Sequence, residues 1–127
     1  MAHLNDEERT GLTCLVMSIL DGWGLNSAQQ IALLGLPEKT SPRTLTRFRQ
    51  GSQSLPEEGE VMDRSKHILG IAESLQVVFP LTPTMPPFWL RNRNRQFGTA
   101  PLAIMLDEGV AGMHRIWCFL DSTQTWD

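Results

Sequence analysis

Arginines that suit contact with a polyanion recur in residues 41–50, which read Ser-Pro-Arg-Thr-Leu-Thr-Arg-Phe-Arg-Gln. Leu45 and Phe48 mark an inward side of this predicted helix, and residues 39–53 hold four basic side chains and no acidic one. Arginine grips guanine or phosphate with two parallel hydrogen bonds, and the start of the preceding helix is predicted to hold phosphate. A solvated basic face explains the same pattern without any ligand. The predicted DNA-contacting residues are Ser27, Gln29, Ser41, Arg43, Thr44, Arg47 and Arg49.

A second set of candidate binding residues follows the last prolines of the proline-rich segment 80–87. Arg91, Arg93 and Arg95 alternate with asparagines, and helical spacing would place Arg91 and Arg95 on one side. They form either a polar rim for a partner or a solvated helix end. Trp89 is expected to pack against the last helix, whereas nothing close in sequence buries Trp126. The predicted partner-binding residues are Trp89, Arg91, Asn92, Arg95, Trp126 and Asp127.

The residue types needed for catalysis or metal binding do not combine into a recognisable site. The histidines at positions 3, 67 and 114 have no metal-ligand spacing with each other or with the cysteines. Cys14 and Cys118 lie in apolar helical patterns and are expected to be buried thiols in a reducing compartment. A glycine-rich phosphate loop and a nucleophile elbow are missing from the sequence. We therefore predict a protein that is not an enzyme and needs no cofactor.

The order of motifs between residues 67 and 120 is the most specific signal in the chain. A long helix leads to Trp89-Leu90, an asparagine-containing turn, the helix start Gly98-Thr99-Ala100-Pro101-Leu102, and a last helix after Gly109. This order resembles the toxin-binding domain of Xre/MbcA/ParS-type antitoxins. Ile31-Ala32 also fits the first helix of an Xre-like helix-turn-helix, although the following turn looks longer than the standard one.

The resemblance implies an antitoxin that binds and sterically neutralises a RES-domain toxin, a class that degrades NAD. It also implies repression of the chain's own operon through operator DNA, as a homodimer or a higher hetero-oligomer with the toxin. Trp126 and the terminal carboxylate would plug the toxin pocket, with a frayed terminus as the alternative. Two other interpretations stay open: a stand-alone helix-turn-helix regulator whose C-terminal domain only dimerises, and an interaction module that has lost DNA binding.

The elements that must position these residues are predicted to be helices, because tyrosine is absent and period-two alternation is rare. Asparagine or hydroxyl residues are expected to cap the helix starts, with Ser41 before Pro42 and Thr99 before Pro101. The prolines of residues 80–87 predict a rigid, extended connector. The all-α fold is thus expected to contain a helix-turn-helix subdomain (residues 1–60), and a bridging helix with the toxin-binding domain (residues 61–127).

The bulk properties fit one small soluble domain. The 127 residues carry a formal net charge of −3, so DNA binding would need a local basic patch. The polar residues 5–9 do not resemble a signal peptide, and the apolar run of residues 12–20 is too short to span a bilayer. We therefore expect a cytoplasmic protein with no membrane contact.

Overall fold

The computed structural model describes residues 4–57 and 59–124, and within them the chain is all-α, as predicted. An isolated antiparallel bridge joins Asn94 and Thr99, and these ranges contain no strand. The helices are α1 (Asp6–Gly22), α2 (Ser27–Leu34), α3 (Pro42–Gln50), α4 (Val61–Val78), α5 (Met85–Arg91), α6 (Pro101–Glu108) and α7 (Val110–Gln124).

Reciprocal capping boxes start the first two helices. Asn5 accepts the backbone N–H of Glu8 at 2.7 Å, while the Glu8 carboxylate accepts the N–H of Asn5 at 3.0 Å. Asn26 and Gln29 repeat the arrangement at 2.8 Å and 3.0 Å, so Asn26 rather than Ser27 caps α2. Each box satisfies two backbone N–H groups that a helix start would leave unpaired.

Two predicted hydroxyl caps are wrong in detail. Ser41 does stand at the N-cap position of α3, but its hydroxyl bonds no backbone N–H and lies 3.4 Å from Thr44 Oγ1. In α6 the N-cap is Ala100, because Thr99 belongs to the preceding turn, where its carbonyl accepts the Asn94 N–H at 3.0 Å. Proline at the first position of each helix needs no N–H partner, so both starts form without a side-chain cap.

The predicted extended connector is also wrong over its second half. Pro86 and Pro87 lie in the first turn of α5, which begins at Met85. The first turn of a helix tolerates proline because its N–H groups have no intrahelical acceptor. The connector between α4 and α5 is therefore confined to residues 79–84.

One cluster of buried apolar side chains draws residues from all seven helices. The α4–α7 pair lies at its centre, and His67 and Ser74 of α4 contact Trp117 and Asp121 of α7, respectively. The contacts advance in the same direction along both helices, so α4 and α7 run parallel. The predicted boundary after residue 60 coincides with the start of α4, and the division into two subdomains stays a prediction.

Arg64 of α4 contacts the end of α2 and approaches the junction between α6 and α7. Its Nη1 donates to the carbonyls of Ala32 (3.1 Å) and Leu33 (3.4 Å) at the end of α2. Its Nη2 lies 3.0 Å from Glu60 Oε2, and it also approaches Gly109, between α6 and α7. Free carbonyls at a helix end favour such a cation.

Candidate nucleic-acid and partner surfaces

The basic surface of α3 consists of Arg43 and Arg47, with Lys39 just before the helix. All three side chains are exposed, while Leu45 and Phe48 on the opposite side of α3 are buried in the core. Neither arginine forms a side-chain hydrogen bond or an ion pair within residues 4–57 and 59–124. Ser41 is exposed and Thr44 half-buried beside them. Amphipathic packing of α3 therefore directs two unpaired guanidinium groups outward.

Arg49, in contrast, is paired with other side chains of the protein, although it is exposed. Its Nε lies 2.8 Å from Asp21 Oδ2, and its Nη2 donates to Asp21 Oδ1 at 3.0 Å and to Gln30 Oε1 at 2.9 Å. Gln30 is buried and donates in turn to Asp21 and to the Leu25 carbonyl. The guanidinium of Arg49 thus holds α3 against α1 and α2, which separates it from Arg43 and Arg47.

This network changes the pKa of the Asp21 carboxyl group. Burial alone would raise its pKa, but hydrogen bonds from Arg49 and Gln30 and the charge of Arg49 outweigh that effect and lower the pKa of Asp21. Asp21 is therefore a paired carboxylate at neutral pH, and the negative charge that it brings to this region is compensated by Arg49.

The start of α2 lies on the same side of the molecule as the start of α3. Ser27, Ile31, Leu36 and Pro42 line one open groove of about 560 Å³ between the two helices. Ser27 and Gln29 are half-buried, and the Gln29 side chain is used in the capping box. Residues 35–41 connect the helices, and the Gly35 φ of 73° ends α2.

Of the candidate partner-binding residues in and just after α5, one packs against α7 and the others are exposed. Trp89 is half-buried and stacks on Phe119 of α7 with ring centroids 6.2 Å apart, as expected for a packing residue. Asn92 is exposed and bonds the Phe88 carbonyl at 2.8 Å, and Arg95 is exposed. The helix ends at Arg91, so the prediction that Arg91 and Arg95 share a helix side is wrong. Trp126 and Asp127 lie outside the described residues.

Arg91 reaches a residue of the N-terminal half. A Cβ placed on Gly24 would lie 2.8 Å from Arg91 Nη1. Gly24 has a φ of 74° and belongs to the corner between α1 and α2. The structure thus brings Arg91 next to the corner that precedes α2.

The sequence analysis missed a polar cluster between α4 and α7. The rings of His67 and Trp117 meet edge to face at 5.3 Å, and Cys118 Sγ lies 3.4 Å from His114 Nε2. The four-residue spacing of His114 and Cys118 could have indicated this pair. The predicted burial of the cysteines is wrong: Cys118 is exposed and Cys14 half-buried.

Residues 4–57 and 59–124 hold neither a metal-ligating cluster nor a membrane-spanning helix. These residues contain no group of three or more His, Cys, Asp or Glu side chains that could hold a metal ion. None of the helices they form is both long and apolar enough to cross a bilayer.

The chain is similar to the "Uncharacterized protein y4oB" of Sinorhizobium fredii (strain NBRC 101917 / NGR234). The two sequences are 30% identical over 105 residues, which cover 82% of this chain and 77% of y4oB. The chain therefore belongs to the same family as y4oB. No family model matches the sequence.

Proposed function

We propose that this protein is a cytoplasmic antitoxin that binds and sterically neutralises a RES-domain toxin, and that it represses its own operon by binding operator DNA as a dimer. The observation that carries the proposal is the motif order of residues 67–120. The Trp89-Leu90 pair lies in α5, and the asparagine-containing turn follows it. The Gly98-to-Leu102 segment leads into α6, and both helices lie against α7. Asn92 and Arg95 are exposed there and available to a protein partner.

The DNA-binding part of the proposal rests on α3. Arg43 and Arg47 are exposed, unpaired in the described part of the chain, and held outward by the buried Leu45 and Phe48. Such a helix can supply both base and phosphate contacts in a major groove. The internal pairing of Arg49 reduces the proposed contact set on this helix to Ser41, Arg43, Thr44 and Arg47.

The test is co-expression with the neighbouring open reading frame, followed by co-purification and measurement of cellular NAD. We expect a stable complex, NAD loss when the neighbour is expressed alone, and restored NAD when both are present. A truncation after Gln124, which removes Trp126 and Asp127, should weaken the rescue without lowering the thermal unfolding temperature. Rescue that survives this truncation undiminished would contradict the plugging role of the C-terminal tail.

Arg47→Gln is the matched variant for the DNA-binding part. It should weaken binding to the DNA upstream of the reading frame while leaving toxin neutralisation intact. If the neighbour is harmless and forms no complex, the antitoxin assignment is wrong. DNA binding that persists in that case would favour the stand-alone regulator.

A further inference from the structure

Arg91, in the C-terminal half of the chain, contacts the corner between α1 and α2. It is the last residue of α5 and is exposed. Its Nη1 and Cζ would lie 2.8 Å and 3.9 Å from a Cβ built on Gly24, so the guanidinium rests on the bare backbone of that glycine. Trp23 and Leu25, on either side of Gly24, are buried and fix the corner in place.

The acidic residue nearest in sequence to this corner does not neutralise the positive charge of Arg91. That acid is Asp21, and both of its carboxylate oxygens are engaged by Arg49 and Gln30. Arg91 itself forms no side-chain hydrogen bond or ion pair with any residue in the ranges 4–57 and 59–124. The corner between α1 and α2 therefore presents a free guanidinium group to solvent.

The corner leads along the chain into α2, whose start shares a groove with the start of α3. Gly24 is followed by Asn26, the cap of α2, and by Ser27, which lines the same groove as Pro42 at the start of α3. Arg43 comes directly after Pro42 and is exposed. Arg91 thus lies at the corner that leads into α2, and the start of α2 faces the start of α3 across one groove.

We propose that Arg91 contacts a DNA phosphate and belongs to the nucleic-acid surface, not to the toxin surface. The inference rests on the DNA binding proposed above and adds to it a cation from the C-terminal half. A guanidinium beside the first helix of a helix-turn-helix is placed to neutralise the backbone that this helix crosses. Such a contact carries no sequence information but releases counterions.

The test compares Arg91→Gln with Lys66→Gln, which removes an exposed positive charge on α4 that has no ion pair in the described part of the chain. Binding is measured by fluorescence anisotropy at several salt concentrations. The probes are a duplex from upstream of the reading frame and an unrelated duplex of equal length. Arg91→Gln should weaken both complexes and reduce the slope of log affinity against log salt by about 1. Lys66→Gln should leave the slope unchanged, and Arg91→Gln should still neutralise the toxin.

Three results would overturn the inference, and they are distinguishable from each other. If Arg47→Gln weakens DNA binding but Arg91→Gln leaves the salt slope unchanged, the proposed function stands and the Arg91 contact is wrong. If Arg91→Gln instead abolishes neutralisation at an unchanged slope, Arg91 is a partner contact. If the wild-type chain binds neither duplex, the DNA-binding part of the proposed function fails together with this inference.

Discussion

Asp21 is a carboxylate whose pKa is lowered by its pairing with Arg49 and Gln30. Its pKa is lowered in the folded chain, so it contributes stability above the ordinary Asp pKa of about 3.9, and that contribution is lost as the pH falls through the lowered folded value. We expect Asp21→Asn to be less stable than the wild type at pH 6. The difference should shrink as the pH falls below about 4. Urea unfolding across this pH range measures it.

The control for this prediction is Asp107→Asn, which removes an exposed carboxylate without an ion pair in the described part of the chain. Its free energy of unfolding should follow that of the wild type at every pH. A stability difference for Asp21→Asn that stays constant down to pH 2 would contradict the role of the Arg49–Asp21 pair.

The packing of α4 on α7 depends on a glycine where the two helices touch. A Cβ on Gly70 would collide with the indole ring of Trp117, which is also held by His67. We expect Gly70→Ala to lower the free energy of unfolding by about 1–3 kcal/mol, because the ring must leave its position in a packed interface. Chemical denaturation measures the change.

Gly11→Ala is the matched control, because Gly11 lies inside α1 with open space around its Cα. There the substitution should raise stability by about 0.5–1 kcal/mol through helix propensity alone. Equal effects at the two glycines would mean that the α4–α7 contact does not limit the size of residue 70.

Arg64 connects parts of the protein that are far apart in sequence. It joins the end of α2 to α4 and approaches the α6–α7 junction, and its side chain is 15% exposed. Arg64→Met keeps the aliphatic stem but removes the charged donor from the Ala32 and Leu33 carbonyls, of which only that of Ala32 keeps a second donor, the Gly35 N–H, so we expect a loss of about 2 kcal/mol. Urea unfolding followed by tryptophan fluorescence measures it. Lys66→Met, on the same helix, should change stability by less than about 0.5 kcal/mol. Equal losses would contradict the linking role of Arg64.

The helices could be predicted from the sequence because their signals are local. Asn5 and Glu8, or Asn26 and Gln29, are three residues apart, and their capping boxes need no distant partner. Two predictions from local signals are wrong. Thr99 belongs to a turn and does not cap α6, and Pro86 lies in the first turn of α5 and not in an extended connector. For the candidate sites, the exposure of Arg43 and Arg47 agrees with the amphipathic pattern of α3.

The sequence by itself determined the all-α class, the ends of most helices and the outward side of α3, because caps, glycine stops and helical periodicity act within a few residues. The tertiary structure decided which arginines remain free. Asp21 lies 28 residues from Arg49 and pairs with its guanidinium, while packing of α5 carries Arg91 to Gly24, far away in the sequence. Such pairings depend on how the helices pack, and no local pattern encodes them.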